Sequence, residues 1–358
     1  MTTQASPTAT MTALRWHGRH DIRIDAVPIP GPPGAGEVQL RVLWCGICGT
    51  DIEEWRHGPV FIPVGESHPL TGSRAPLTLG HELTGEVHLV GPGVTHLALG
   101  QRVAVDGLSS CGTCHWCLRN RPVLCPKLSA VGLMADGGLA EFCNVPAHGC
   151  VPLPETLAAD HAALAETLAV GIRALHRGRI TPEDRVAIFG AGAIGLLAGQ
   201  AARARGAAEV VIVDTLAPRR TIASEMGFDR VLHPDDVGEE LEIDLALECS
   251  GRSAAIHGAL RATRAGGRVV LVGLHSETVA IDPLAFVTQE KELIGSLSHV
   301  YDEDFTEAVR LLADGSIDPS RIITARRPLV DALSAFDSLD AHPTEHLKVL
   351  ISPVRSTS

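Results

Sequence analysis

The sequence predicts an α/β protein of two parts: a β-rich region first, then a doubly wound parallel sheet. Three observations carry this. From Thr12 to about Ala147, short apolar runs alternate with Gly and Pro breakers. From Arg185 to about Leu297, strand-like and helix-like segments alternate, the order that builds parallel βαβ units. At the first junction of that alternation stands Gly190-Ala-Gly192-Ala193-Ile194-Gly195, the glycine spacing that lets a strand turn sharply into a helix.

Taken in order, residues 1 to about 10 are Thr/Ser/Ala-rich and predict a loose tail. Glu37–Trp44, Glu86–Val90 and Arg102–Val105 read as strands, broken by Pro30-Gly31-Pro32-Pro33-Gly34 and Gly91-Pro92-Gly93. Thr156–His176 is Ala/Leu-rich and predicts a helix capped by Asp160. Arg185–Phe189 is a buried strand, Ala193–Arg205 a helix ended by Gly206, and Glu209–Asp214 the next strand, followed by a helix over Arg219–Met226. Leu245–Glu248, Arg268–Val272 and Leu293–Gly295 continue the sheet. Glu303–Ala313 has helical period with Phe305, Val309 and Leu312 inward and stops near Gly315, and His346–Ile351 reads as a strand.

Composition narrows the function. The 358 residues suit two domains, and 45% apolar with 20% charged residues suits a packed core. The net charge is −12, from 30 Lys and Arg against 42 Asp and Glu. That argues against nucleic acid or an anionic membrane as partner, since each calls for a basic face. No apolar run approaches the roughly 20 residues that span a bilayer. MTTQASPTATMTALRW lacks a basic segment followed by an apolar one, so no signal peptide is expected and a cytoplasmic protein is. Nine cysteines without a secretion signal argue against a disulfide scaffold. Aromatic residues, at 3%, are too few for stacking platforms to dominate.

The cysteine spacing points to metal. In Cys111-Gly-Thr-Cys114-His-Trp-Cys117-x7-Cys125, two-residue gaps let thiolates converge from a tight loop. Four sulfurs suit a closed, tetrahedral, structural Zn²⁺. Unliganded thiols and an iron–sulfur cluster are the alternatives. His115 lies inside the run and is expected to be exposed.

A second, dispersed set is Cys48, His81, Glu82 and Glu166. Cys48 ends Cys45-Gly-Ile-Cys48, next to Gly49-Thr50-Asp51, and Gly80 beside His81 allows close backbone approach. A mixed S/N/O set with fewer than four permanent protein ligands is the mark of catalytic zinc. Asp51 is a candidate acceptor for the His81 ring N–H.

The glycine run is a cofactor cradle in the same reading. Gly190 makes the turn, Gly192 admits a pyrophosphate to the backbone, and Gly195 packs the helix on the sheet. Asp214, ending the next strand, would accept from ribose hydroxyls and repel a 2′-phosphate, favouring NAD over NADP, with Arg219 and Arg220 nearby. A Gly-rich turn without ligand is the alternative.

Together these residues resemble the zinc-dependent medium-chain dehydrogenases. The similarity runs through Gly46-Ile47-Cys48-Gly49-Thr50-Asp51, Gly80-His81-Glu82, the four-cysteine lobe, Gly-Gln-Arg-Val at 100–103, Gly-Gly-Leu-Ala-Glu-Phe at 137–142, the glycine run and Glu248-Cys249-Ser250-Gly251. Gly58-Pro-Val-Phe-Ile-Pro63, His68-Pro-Leu-Thr-Gly72 and Glu166 in Leu164-Ala-Glu-Thr-Leu-Ala-Val are most similar to the butanediol and sorbitol dehydrogenase branch.

The resemblance implies a GroES-like β-rich catalytic domain over 1–158, with its zinc lobe at about 106–128, and 298–358. Between these it implies a Rossmann cofactor domain over 159–297. It implies two Zn²⁺ per subunit, the catalytic one held by Cys48, His81 and either Glu82 or Glu166, with Cys45 outside the set. It places Ala193, Ile194, Cys249, Val272, Gly273 and Arg219 with the cofactor and gives Lys348 a contact to its phosphates. It implies a homodimer or homotetramer. The family often carries a histidine where this chain has Glu53, the outer end of a proton relay that begins at Thr50.

The function expected is hydride transfer between NAD(H) and a small-molecule secondary alcohol, a vicinal diol or polyol. A threonine-, amino-alcohol- or sugar-oxidising enzyme of the same fold is the near alternative, through recognition by Glu53 and Glu54. A non-catalytic dinucleotide-binding protein is the distant one.

Overall fold

The computed structural model describes residues 9–274, 277–342 and 344–353. The expected loose tail lies mostly in residues 1–8, outside the described residues, and a strand begins at Thr10. The chain divides into two units, Met1–Glu166 with Ile323–Ser358, and Thr167–Ile322.

The first unit is built on the strand Glu37–Gly46. Glu82–Val90 pairs antiparallel on one side and Lys348–Ser352 on the other. The sheet continues outward to Arg102–Val105 and Cys150–Pro152 at one edge and to Ile323–Pro328 at the other, while Phe142–Pro146 also pairs with the central strand. A smaller sheet joins Asp21–Pro28, Thr10–Gly18 and Leu77–Thr78. Alternating apolar side chains of these strands close one core around Trp16, Leu40, Leu83, Leu139 and Phe336.

The second unit is a six-stranded parallel sheet. Its order is Arg230–Leu232, Glu209–Val213, Arg185–Phe189, Ile243–Glu248, Thr263–Leu271, Glu292–Gly295. In chain order this is 3-2-1-4-5-6, the doubly wound arrangement whose switch point lies beside the first strand. The central strands are buried on both faces and accordingly read as continuous apolar runs such as Val210–Val213.

Two expectations about elements change. The helix expected over Thr156–His176 is two, Ala159–Ala162 and Ala165–Arg177. Its cap is Ala158 rather than Asp160, because the Asp160 carboxylate takes the Arg326 guanidinium at 2.6 Å. Phe305 is buried, Asp304 binds His176 Nδ1 at 2.5 Å, and Glu307 binds Arg205 at 2.6 Å, so the turn and helix over 301–313 belong to the Thr167–Ile322 unit. Among the described residues no helix is long and apolar enough to cross a membrane.

Candidate active site and metal centres

Strand register assembles the dispersed set. Gly46 pairs with Glu82 on one side and with Leu350 on the other. Cys48, just past the central strand, is thereby brought to the ends of the two strands that begin at Glu82 and Lys348. Gly80 makes the approach to His81 possible. Its φ is +97°, and a Cβ there would stand 2.5 Å from Cys45 Sγ. The donor atoms of Cys48, His81 and Glu82 lie within 4.8 Å of one another.

Asp51 organises two of these residues. Cys48 precedes the helix Gly49–His57, and its N–H donates to Asp51 Oδ2 at 2.9 Å. Asp51 Oδ1 lies 3.6 Å from His81 Nδ1. This is an electrostatic contact, longer than the expected hydrogen bond. Burial pulls the His81 pKa down, but the charges of Asp51 and Cys48 and a hydrogen bond with Cys48 carry it well above the usual histidine range. Burial raises the Asp51 pKa. Cys45 stays outside the set, its buried Sγ donating to Gly46 O.

Glu166 lies in the first turn of Ala165–Arg177, and its charge raises the pKa of both His81 and Lys348. Lys348 Nζ donates to Glu82 Oε1 and Oε2 at 2.5 and 2.7 Å and to Ile47 O at 3.3 Å. The ammonium is buried in the first unit against the Glu82 carboxylate of the metal-ligand set. The Glu53/Glu54 pair also separates. Glu54 is buried and accepts the N–H groups of Val60, Phe61 and Ile62, which removes it from substrate recognition. Glu53 is exposed and bound to His57.

The four-cysteine lobe is closed at its base by Leu108–Ser109 pairing with Ser129–Ala130. All four sulfurs lie within 4.8 Å of one another, with Cys111–Cys117 at 4.0 Å and Cys114–Cys117 at 3.5 Å. A tetrahedron with Zn–S bonds of about 2.3 Å has edges of about 3.8 Å, so the cage fits that ion. Backbone N–H groups of Cys111 and Lys127 donate to Cys125 Sγ at 3.5 and 3.3 Å, as a thiolate cage calls for. His115 is exposed and paired with Arg119.

In the second unit the glycine run has its expected strand–turn–helix setting, between Arg185–Phe189 and Ala193–Ala204. Gly190 has φ of +109°, and a Cβ on Gly195 would stand 1.9 Å from Gly190 O. Beside Gly192 a Cβ would meet only Arg219 Nη1, at 4.0 Å, so the turn is open where a ligand would approach. Asp214 accepts from Ala191 N at 2.7 Å and Leu216 N at 2.8 Å. It therefore anchors the glycine turn, and each oxygen retains further acceptor capacity. Arg220 donates to Asp214 O and Thr215 O.

Sequence reasoning missed Glu248, a buried carboxylate that accepts from Ser250 N at 2.7 Å, Ser250 Oγ at 2.5 Å and Gly251 N at 3.1 Å. It shapes the loop holding Cys249, whose thiol is pushed far up by burial. Gly273, after Val272, lies so close that a Cβ would stand 2.2 Å from Gly251 N. The loop's Cys-Ser-Gly continuation was the available signal.

Residues 34–155 match the alcohol dehydrogenase GroES-like domain, and residues 193–314 match the zinc-binding dehydrogenase domain. The (R,R)-butanediol dehydrogenase of Bacillus subtilis is 32% identical over 354 residues, covering 96% of this chain and 100% of that protein. The chain belongs to the zinc-dependent medium-chain dehydrogenases. A crystal structure of 2R,3R-butanediol dehydrogenase from Bacillus subtilis superposes with a TM-score of 0.89 at 31% identity, covering 96% and 100% of the two chains. Human sorbitol dehydrogenase is 35% identical over 336 residues, 90% of each chain. A zinc-binding dehydrogenase of Sinorhizobium meliloti 1021 bound to NADP gives a TM-score of 0.86 at 32% identity, covering 96% and 100%. As a medium-chain dehydrogenase this chain is an oxidoreductase of the alcohol and polyol class, with zinc and a nicotinamide dinucleotide as its cofactors.

Proposed function

We propose that the chain oxidises the secondary hydroxyl of a vicinal diol or polyol with NAD⁺, and reduces the matching ketone with NADH. The observation that carries this is the convergence of Cys48, His81 and Glu82 within 4.8 Å. These are soft, borderline and hard donors in one corner, Cys48 half-buried and His81 and Glu82 buried, with fewer than four protein ligands. They fit zinc, and Glu166 is the carboxylate that could replace Glu82 in the set. The four-cysteine lobe fits a second, structural ion.

Bound at the first site, zinc supplies Lewis acidity that makes a substrate hydroxyl easier to deprotonate, and the nicotinamide supplies the hydride acceptor. The chain's own residues do the rest. Asp51 holds Cys48 and faces His81, keeping both donors aimed. Thr50 Oγ1, 3.8 Å from Cys48 Sγ, would take the substrate proton. Gly190, Gly192 and Gly195, with Ala193 and Ile194 opening the helix, would cradle the pyrophosphate. The Asp214 carboxylate favours the ribose hydroxyls of NAD over a 2′-phosphate. Arg219, whose Nη1 is 4.0 Å from where a Gly192 Cβ would stand, would contact the phosphates.

The nine unpaired cysteines suit the reducing cytoplasm. The edge strand Glu292–Gly295, with Leu284 and Val287 of the neighbouring segment 72% and 71% exposed, suits a homodimer or homotetramer.

The test is NADH formation at 340 nm with a panel of diols, polyols and amino alcohols, with and without chelator, and with NADP⁺ in parallel. Metal analysis of Cys48→Ser, Glu82→Gln and Glu166→Gln accompanies it. Diol-dependent activity that is lost with the chelator, and one zinc lost in Cys48→Ser, support the reading. A silent panel, or Cys48→Ser with full activity and unchanged zinc, overturns it.

A further inference from the structure

Glu248 is a buried carboxylate to which the chemistry above gives no task. It ends the strand Ile243–Glu248 and is 0% exposed. Burying a carboxylate is costly unless its oxygens are served by donors, so a carboxylate kept at such a place holds something.

What it holds is a loop at the switch point of the second unit's sheet. Glu248 pairs in parallel register with Phe189 of the first strand, and Cys249 N donates to Phe189 O at 2.8 Å. The chain then turns through Cys249, Ser250 and Gly251. The carboxylate reaches forward over this turn. Its Oε1 accepts from Ser250 N at 2.7 Å, Ser250 Oγ at 2.5 Å and Gly251 N at 3.1 Å. The backbone oxygen of the same residue accepts from Val272 N and Gly273 N, each at 2.9 Å. Glu248 thus fastens its own loop with its carboxylate, and with its carbonyl the chain leaving the next strand, Thr263–Leu271.

Around it three segments meet backbone to backbone. A Cβ on Gly190 would stand 3.0 Å from Ser250 N. A Cβ on Gly273 would stand 2.2 Å from Gly251 N and 2.9 Å from Glu248 Oε2. A Cβ on Gly251, whose φ is +68°, would stand 2.7 Å from Leu274 O. Contacts this close fix the loop's height, because close-packed groups do not shift singly.

A doubly wound sheet takes a dinucleotide across the carboxyl ends of its strands, one half on each side of the switch point. In the reading above, Asp214, just past the second strand, takes the adenosine ribose. The ends of the strands Ile243–Glu248 and Thr263–Leu271 are then the floor of the nicotinamide half.

We propose that Glu248 is the positioning residue of that floor, an inference that rests on the dehydrogenase reading above. Its carboxylate sets Cys249–Gly251 against Val272–Leu274 and so fixes the seat of the nicotinamide half. The adenosine half binds without it.

The variants are Glu248→Ala, Glu248→Asp and Glu248→Gln in the full chain. NADH is titrated by its fluorescence and AMP, which carries the adenosine half alone, by calorimetry. Zinc content and thermal midpoint are measured alongside. Glu248→Ala releases the loop, and Glu248→Asp, one methylene shorter, falls short of the Ser250 and Gly251 donors. Each weakens NADH about tenfold and leaves AMP within about twofold of the wild type. In Glu248→Gln the amide oxygen can stand where Oε1 stands and keep its three bonds, so NADH binds within about threefold of the wild type.

Wild-type NADH affinity in both Glu248→Ala and Glu248→Asp overturns the proposal. A loss shared equally by NADH and AMP also overturns it, since that marks a carboxylate that only supports the fold. So does a Glu248→Gln as weak as Glu248→Asp. If Glu248→Ala does not fold, Glu248→Asp and Glu248→Gln decide by the same titrations. A wild-type protein that binds neither NADH nor AMP overturns the dehydrogenase reading itself.

Discussion

Lys348 and Glu82 form an ion pair across the central sheet of the first unit, Nζ to Oε1 at 2.5 Å, with the residues 3% and 0% exposed. Burial pulls the lysine pKa down, and the charges of Glu82 and Cys48, with the hydrogen bond to Glu82, more than reverse it, so the ammonium is held charged. A buried charge left without its partner is costly. Lys348→Met should therefore destabilise the fold by about 3–5 kcal/mol, and Glu82→Gln with Lys348→Met by distinctly less than the lysine change alone. Denaturant midpoints of the two singles and the double measure this. A loss in the double equal to the sum of the two single losses would show that the two side chains do not depend on each other.

Glu54 is a second buried carboxylate with a different duty. It accepts three successive backbone N–H groups, from Val60, Phe61 and Ile62, and its own carbonyl accepts from Gly58 N and Trp16 Nε1. It ties the segment after the helix to the helix itself. Glu54→Ala strands those donors and should cost about 2–4 kcal/mol, while Glu54→Gln, which keeps one acceptor oxygen, should cost less. Limited proteolysis should cut first within residues 58–64 in the alanine variant. A cleavage pattern identical to the wild type would disprove the tether.

What could be read beforehand, and what could not, divides by range. The glycine turn, the four-cysteine lobe and the strand Arg185–Phe189 depend on spacings of a few residues, and each stands where the spacing puts it. Lys348 lies 266 positions from Glu82. Only the pairing of Gly46 with strands from both ends of the chain brings them together, and no local pattern encodes that. Glu53 and Glu54 look alike in the sequence, yet one helical step of 100° sends one to solvent and the other inward. Asp160 resembles a cap until Arg326, far along the chain, takes its carboxylate.

The lobe cysteines should report metal by their reactivity. Without an ion, N–H and hydroxyl donation from Thr113 brings the Cys111 thiol down to about 6, while burial pushes Cys125 up to about 11. A low-pKa, partly exposed thiol is the one that alkylates first. In the zinc-loaded protein the four thiols should resist iodoacetamide near neutral pH. After chelation Cys111 should label fastest and Cys125 slowest. Cys45, Cys143 and Cys150 should stay unlabelled in both, because all three are buried with raised pKa values, Cys150 at about 12. Mass spectrometry of timed digests gives the order, and labelling of Cys111 that ignores the chelator would refute a metal in the lobe.

Folding and cofactor binding should come apart within the glycine run. A methyl on Gly195 would stand 1.9 Å from Gly190 O, so Gly195→Ala must move the helix off the sheet, at a cost of about 1–3 kcal/mol. Gly192 has φ of −79° and ψ of −178°, which alanine adopts without strain. Its missing Cβ faces nothing nearer than Arg219 Nη1 at 4.0 Å. Gly192→Ala should thus fold with stability within about 0.5 kcal/mol of the wild type. The new methyl would occupy the space through which a pyrophosphate reaches the helix N–H groups, weakening NADH by about tenfold or more, equivalent to about 1.4 kcal/mol. Thermal midpoints and NADH fluorescence titrations on the two variants separate the effects. Wild-type NADH affinity in Gly192→Ala would mean that the phosphates lie elsewhere, and wild-type stability in Gly195→Ala would mean that the turn is not packed as described.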